Sequence, residues 1–298
     1  MNKTKSIIMR KIKILLTASV LSVTLFSCAA LEQILSDAGT TTGTTSKSNI
    51  VAGLKEALRV GVDTATSRLA LSNGYFKDQA IKLLLPPSLN NSINTFKSKS
   101  INILGIGEIT GAKIYSTGIP LLGIKPLSSI EDKLILGLNR AAENAAKDAG
   151  PIFGNAIKGM SIVDGNNILF GGDKTAATKY LQAKTTTALF NQYEPRIDAA
   201  LKSVKVGDKS VVALYEDYVS KYNNILNKSV PTGLTGSSSI AQLMNVPVIK
   251  AENLSAYSTN KGLKGLFTKV AAEESKIRTN PLNRVTSILK DVFGRLDK

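Results

Sequence analysis

The densest group of potentially reactive side chains lies at helical spacing in the middle of the sequence: Asn139, Arg140, Glu143 and Lys147. Steps of three and four residues bring side chains into reach on one helix face, so a carboxylate and a guanidinium could together hold a polar ligand. The same spacing is typical of a solvated ladder of ion pairs, each worth about 0.3–0.5 kcal/mol. We predict the solvated ladder, because Arg140 and Glu143 fall opposite the apolar stripe of their helix.

A second candidate ligand site is the turn Gly171-Gly172-Asp173, which precedes a long helical pattern beginning near Lys174. Backbone N–H groups at a helix N-terminus can bind an anion, and Gly172 and Asp173 would present them. An Asp that caps the helix explains the same residues. We favour the cap.

Three tyrosines, Tyr215, Tyr218 and Tyr222, recur at steps of three and four residues, and Tyr180 could face them from another helix. Such a set could line an amphipathic pocket, although tyrosines at this spacing are typical of a core.

The 298 residues contain no histidine and one cysteine. This composition excludes Ser-His-Asp and Cys-His catalysis, His-ligated zinc and disulfides within the chain. We expect no metal and no cofactor. Only carboxylate, Lys, Tyr or Ser/Thr chemistry remains open to an enzyme.

The single cysteine, Cys28, ends an N-terminal segment made of a basic stretch, an apolar run from Ile14 to Leu25 and small residues. That order is typical of a secretory signal peptide, and the run of about 12 residues is too short to cross a bilayer. Leu25-Phe26-Ser27-Cys28 resembles the bacterial lipobox, although Phe26 is bulkier than the usual occupant. We therefore predict a signal peptide at 1–27 and lipid attachment at Cys28.

Residues 28–48 are predicted to hold the lipidated cysteine and a flexible tether, because 36–48 are polar and rich in Thr, Ser and Gly. Two or more acyl chains give stable membrane anchoring. No acidic residue follows Cys28 directly, so the default location is the outer membrane, facing the periplasm.

The charge of the chain favours anionic partners. Five of the 38 basic residues lie in the signal segment, which leaves 33 against 22 acidic residues. An anionic envelope component, such as a lipid headgroup or an acidic glycan, or a partner protein is therefore expected. Nucleic acid is not, because the signal directs the chain out of the cytoplasm.

The elements that must position these residues are helices, since apolar residues recur at three- and four-residue steps through most of the chain. One helix is predicted from Ile50 to Leu71, and another from Ser128 or Ser129 to Gly150-Pro151. Residues 99–127, rich in Gly and Ile, are predicted to form an extended or hairpin insertion. Residues 229–247 are predicted to form a long loop, in which a turn of helix could lie. We predict an all-α fold, a single irregular multi-helix bundle over 49–298.

Several stretches of the sequence resemble the bacterial family of domain of unknown function 4197, found in envelope proteins. The matching residues are Ile50 to Leu58, Ile81 to Pro87, Asn139 to Glu143, Gly171 to Asp173 and Lys261 to Gly294, including Ala272-Glu273-Glu274 and Ile277-Arg278. Residues near 99–127 and 229–247 look like insertions relative to the family. The resemblance implies one helical domain, and it implies no activity because the family has none assigned.

Three functions remain open from the sequence. The first is a non-catalytic envelope lipoprotein that binds an apolar or anionic component or a partner protein. The second is a hydrolase or lyase of envelope glycans that uses carboxylates such as Glu143 and Asp173. The third is a structural or assembly role without a ligand. We favour a non-catalytic binding or assembly module over the enzyme.

Overall fold

The computed structural model describes residues 47–233 and 235–297. The predicted signal peptide, the lipid site at Cys28 and the tether up to residue 46 lie outside these residues. Within them, helices dominate and strands occur only as three two-stranded antiparallel hairpins. The predicted all-α class is confirmed.

Ten α-helices lie in the described part of the chain. They are α1 (Lys47–Leu69), α2 (Pro87–Ser98), α3 (Gly111–Thr117), α4 (Ser128–Gly159), α5 (Gly165–Phe170), α6 (Ala176–Ser203), α7 (Val211–Leu226), α8 (Ile240–Met244), α9 (Leu254–Thr279) and α10 (Ser287–Phe293). None of these helices is long and apolar enough to cross a membrane.

Four long helices form the centre, where α1 and α6 each pack against both α4 and α9. Neighbours run antiparallel: Gly61 of α1 lies opposite Val270, whereas Tyr75, beyond the end of α1, lies opposite Gly265. The α4 face that meets its neighbours carries small side chains, which let helices approach closely. These are Ala141, Ala142, Ala145, Ala146 and Ala149, all buried.

The predicted end of a helix at Gly150-Pro151 is wrong, because α4 continues through Pro151 to Gly159. A proline inside a helix removes one backbone hydrogen bond and costs about 3 kcal/mol. Beyond it, Phe153 and Ile157 are fully buried, and that burial offsets the loss. Pro195 lies inside α6 in the same way, followed by the buried Ile197.

Two boundaries near the N-terminal side also differ from the sequence predictions. Helix α1 already includes Lys47 and Ser48, which were assigned to the tether. Helix α2 was not predicted at all. It begins with Pro87 at its first position, where a backbone N–H would have no partner within the helix, so proline loses no hydrogen bond there. The helix buries Leu89, Ile93 and Phe96 at helical spacing.

The segment 99–127 contains the predicted hairpin, with β1 (Ser100–Ile103) paired to β2 (Gly107–Thr110) in the register Ser100↔Thr110. It continues into α3, which was not predicted. A turn of two residues joins β3 (Lys205–Val206) to β4 (Lys209–Ser210), and these strands form a second hairpin. The segment 229–247 contains a hairpin of β5 (Ser229–Pro231) and β6 (Ser237–Ser239), which was not predicted. The short helix α8 that follows agrees with a turn of helix inside the predicted loop.

Candidate functional site

The polar group on α4 is buried, so the predicted solvated ladder is wrong. Asn139 is 0 % exposed and Glu143 is 3 % exposed. Arg140 is partly exposed, and only Lys147 lies in solvent. The cause is the segment between α1 and α2, residues 70–86, which crosses this face of α4 and covers it. We call Asn139, Arg140 and Glu143 the connector clasp.

Glu143 fastens the start of this connector. Its Oε1 accepts hydrogen bonds from the backbone N–H groups of Tyr75 (3.2 Å) and Phe76 (3.1 Å). Its Oε2 accepts one from Arg140 Nη1 at 2.5 Å. Arg140 Nη2 in turn donates to Asn73 Oδ1 at 3.0 Å. Both carboxylate oxygens are therefore occupied by structural partners.

Asn139 fastens the end of the same connector. Its Oδ1 accepts from Leu83 N at 2.9 Å, and its Nδ2 donates to Leu83 O at 2.8 Å. The Nδ2 also donates to Ile135 O within α4. The side-chain amide therefore replaces the backbone partner that Leu83 would have in a sheet, which satisfies both of its buried polar groups.

A second buried polar pair, Glu274 and Arg278 on α9, joins the ends of two helices, and we call it the helix-end clasp. Glu274 accepts from the backbone N–H groups of Ala177 (3.0 Å) and Thr178 (2.7 Å), at the start of α6. Arg278 donates to the carbonyls of Ile168 (3.0 Å) and Leu169 (2.9 Å), near the end of α5.

The helix-end clasp matches charge to helix polarity. The two side chains pair with each other, Arg278 Nε donating to Glu274 Oε1 at 2.8 Å. A carboxylate at the N-terminus of one helix and a guanidinium at the C-terminus of another each satisfy groups that lack intrahelical partners. Sequence reasoning did not select these residues as a site. The available signal was the position of Glu274 on the apolar stripe of α9, one turn beyond Val270 and before Ile277.

Gly172 and Asp173 lie at the surface, in the turn between α5 and α6. Asp173 accepts from Thr175 N (2.9 Å), Thr175 Oγ1 (2.8 Å) and Lys179 Nζ (2.7 Å). These contacts, led by that of Lys179, lower the pKa of Asp173 to about 2. The N-cap of α6 is Thr175, so the prediction of Asp173 as the cap is wrong by two residues. Because Asp173 already accepts a hydrogen bond from the backbone N–H of Thr175, that N–H is not available to bind an anion.

The tyrosines divide between two places rather than facing one another. Tyr218 and Tyr222 are fully buried, and the hydroxyl of Tyr218 hydrogen-bonds that of Tyr115, which also donates to Glu131 at 2.5 Å. Tyr180 donates instead to Ser161 O at 2.7 Å, at the opposite end of the bundle. Tyr218 and Tyr222 therefore belong to the core, and they do not share a pocket with Tyr180.

A surface groove of about 360 Å³ runs between the C-terminal turn of α4 and the first turns of α6. Met160, Val163, Tyr180 and Lys184 line it. The described residues contain no group of three or more acidic or Cys side chains placed to hold a metal ion. Glu143 and Asp173, the two carboxylates of the enzyme hypothesis, belong to separate hydrogen-bond networks.

The fold and the two clasps define an all-α domain in which the polar residues of the sequence signature are used to fasten connections between helices. The chain matches the model of a family described as "Protein of unknown function (DUF4197)" over residues 44–104 and 121–294, and it belongs to that family. The match is interrupted within the predicted insertion at 99–127 and runs through 229–247. No curated protein and no solved structure matches the chain.

Proposed function

We propose that this protein is a non-catalytic module of the bacterial envelope, anchored by lipid at Cys28 and binding an anionic envelope component. The observation that carries the non-catalytic part is the environment of Glu143. Its carboxylate lies beneath the connector and accepts three hydrogen bonds, two from backbone N–H groups and one from Arg140. A carboxylate held in this way stabilises the fold and does not reach a substrate.

The glycan-cleaving alternative lacks support from the residues proposed for it. Such enzymes use two carboxyl groups about 5–10 Å apart across the scissile bond. Here Glu143 is covered by the connector, while Asp173 is an exposed turn residue paired with Lys179. The pair does not flank a common cleft.

The anchor is supported by the sequence around Cys28 and is tested by acylation. Cells that express the wild-type chain or Cys28→Ser are grown with radiolabelled palmitate. We expect label in the wild-type protein and none in Cys28→Ser, because the thiol receives the lipid. Equal labelling of the two proteins would contradict the anchor.

The non-catalytic role is tested with the purified protein and isolated cell-wall glycan. We expect no soluble fragments above those of a sample without protein. If fragments appear and Asp173→Asn or Glu143→Gln abolishes them while the helical spectrum is retained, the protein is an enzyme and the proposal is wrong.

A further inference from the structure

One end of the bundle gathers the first turns of α1 and α6 with the last turns of α4 and α9. Lys55 in α1 donates to the carbonyl of Lys158 in α4 at 3.0 Å. Glu274 in α9 contacts the start of α6, and a Cβ on Gly165 of α5 would lie 3.3 Å from Ile50. Helix α1 therefore begins at this end, with Lys47.

Four large apolar side chains at this end are exposed to solvent. The exposed fractions are 70 % for Val163, 52 % for Phe170, 89 % for Leu282 and 67 % for Val285. Val163 precedes α5 and Phe170 ends it, and Leu282 and Val285 follow α9. Several large apolar residues exposed at one end of a molecule mark an interaction site more often than a single exposed one does.

Hydrogen bonds through Arg278 and Arg284 join the two pairs of apolar residues. Arg278 donates to the carbonyl of Leu169, the residue before Phe170. Arg284, which lies between Leu282 and Val285 in sequence, donates to the carbonyl of Arg278 at 3.2 Å. The apolar side chains are therefore parts of one end of the molecule. We call these four apolar residues, together with Lys158 and Lys174, the basal face.

The basal face carries unbalanced positive charge. Lys158 and Lys174 are exposed and form no salt bridge within the described residues. The acidic residues nearby are mostly neutralised: Asp173 pairs with Lys179, Asp291 with Arg295 and Asp297 with Arg284. Asp164 caps α5 through the backbone N–H of Asn167 and keeps its negative charge. The two unpaired lysines still exceed this one carboxylate, so an anionic surface would be attracted to this end.

The chain between the proposed anchor and the bundle is short. Eighteen residues separate Cys28 from Lys47 in the sequence, and the covalent length of the chain limits the distance between the two residues to about 65 Å. A lipid at Cys28 would therefore tether the basal end of the bundle to the bilayer.

We propose that the basal face docks on the anionic lipid surface, with Phe170 and Leu282 entering the headgroup region and the lysines contacting lipid phosphates. Apolar side chains bordered by lysines are the pattern of surface-bound proteins, which bury their apolar face about 5–10 Å deep. The inference rests on the proposed lipid anchor. It assigns a fixed orientation to the bundle, which the anchor alone does not.

The absence of tryptophan from the chain makes a direct test possible. Phe170→Trp, Leu282→Trp and the control Leu121→Trp are each introduced into the full lipidated chain and reconstituted in phosphatidylglycerol vesicles with brominated acyl chains. Leu121 is 80 % exposed and precedes α4, whose 32 residues place it about 48 Å from the basal end. Bromine should quench the first two variants about twofold or more and leave the control unchanged.

The contribution of charge is tested in the Phe170→Trp chain. The double substitution Lys158→Glu with Lys174→Glu should reduce quenching in phosphatidylglycerol. The control substitutes two exposed lysines that precede α4, Lys113→Glu with Lys125→Glu, and should leave quenching unchanged. Equal quenching at Leu121 and Phe170, or none at either in floated vesicles, overturns the docking surface. So does a blue shift of Phe170→Trp that grows with protein concentration without lipid, which would make this face an interface between copies.

Failure of the anchor is distinguished by flotation. A lipidated chain floats with phosphatidylcholine vesicles as well as with phosphatidylglycerol. If the chain carries no lipid, only the basal face can bind, and flotation should occur with phosphatidylglycerol alone and decline with salt. Absence of flotation with both lipids would overturn the docking surface as well as the anchor.

Discussion

Two buried carboxylates hold backbone segments that are distant in sequence. Glu143 accepts from Tyr75 N, 68 residues away, and Glu274 accepts from Ala177 N, 97 residues away. A buried N–H without a partner costs about 1–3 kcal/mol, so each carboxylate satisfies groups that no regular element could satisfy. These single side chains therefore supply hydrogen-bond partners to backbone groups between helices, as regular secondary structure does within an element.

Glu143→Gln should lower the free energy of unfolding by about 1.5–3 kcal/mol, because the amide has a single acceptor oxygen. That oxygen cannot accept both from the backbone N–H groups and from Arg140, so one side loses its partner. This is larger than the value of less than about 1 kcal/mol expected for a solvated ladder. Chemical denaturation measures the change. The control Asp148→Asn, on the exposed face of the same helix, should change stability by less than about 0.5 kcal/mol. Equal effects of the two substitutions would show that the connector clasp does not stabilise the fold.

Arg278→Ala should cost about 3–5 kcal/mol, because it leaves Glu274 buried without its cation. The side chains of this pair are 4 % and 0 % exposed. Lys276→Ala removes a salt bridge to Glu273 on the exposed side of α9, where the lysine is 47 % exposed. That loss should stay below about 1 kcal/mol. Thermal unfolding of both variants compares them, and similar melting temperatures would argue against the helix-end clasp.

Spacing along one helix predicted correctly that Arg140 and Glu143 interact, but it could not predict that both would lie under another segment. The apolar stripe of α4 describes only one of its contact faces, and the connector at 70–86 carries no regular pattern that would place it there. Glu274 was missed for a related reason. Its partners are backbone N–H groups, which leave no trace in the sequence at positions 177 and 178.

At the scale of elements, glycine allows the connector to lie against α9. A Cβ on Gly265 would lie 2.7 Å from Tyr75 Cε1 and 3.3 Å from Ile81 Cβ. Tyr75 cannot withdraw easily, because its ring is fully buried and its hydroxyl donates to Gly262 O at 3.0 Å. The close approach of Tyr75 to α9 therefore depends on the missing side chain.

Gly265→Ala should destabilise the fold by about 1–2 kcal/mol, since overpacking costs about 1–3 kcal/mol and the gain in helix propensity returns up to about 1. Gly154→Ala in α4 meets no atom within 4 Å, and it should stabilise by about 0.5–1 kcal/mol. Urea titration of both variants measures the contrast. An unchanged midpoint for Gly265→Ala would mean that Tyr75 moves aside.

The elements most faithfully predicted from sequence are those with one long apolar face. The stripe from Ile50 to Leu69 in α1 is buried as expected. Boundaries that depend on burial elsewhere were not predictable, as at Pro151, where the local signal to stop is overruled by Phe153 and Ile157. Helix α2 shows the reverse case, since Leu89, Ile93 and Phe96 have helical spacing and Pro87 marks the start, yet the helix was not predicted.

At the scale of the whole molecule, burial changes the titration of the tyrosines. Burial raises the pKa of the following tyrosines above the ordinary value of about 10: Tyr75, Tyr115, Tyr193, Tyr215, Tyr218, Tyr222 and Tyr257. For Tyr257 the raised value is about 12. The folded chain therefore keeps protons that the unfolded chain loses.

We expect the protein to unfold in alkali as one event. A raised folded pKa gives stability that is complete below pH about 10 and is lost as pH rises through the folded values, at about 12 for Tyr257 and higher for others. Between about pH 6 and 9 stability should change little, because the chain has no histidine. Tyrosinate absorbance and the helical circular dichroism should change together. Ionisation of most tyrosines before any helix is lost would contradict this expectation.

The two clasps also determine how fast backbone hydrogens exchange with solvent. The amides of Tyr75, Phe76, Leu83, Ala177 and Thr178 lie outside regular helix hydrogen bonding, yet each donates to a buried side chain. Their deuterium uptake should be as slow as that of the middle of α4, because breaking a clasp requires the molecule to open globally. The exposed turn Gly207-Asp208 should exchange at once. In this protein, slow exchange would therefore map the clasps as well as the helices.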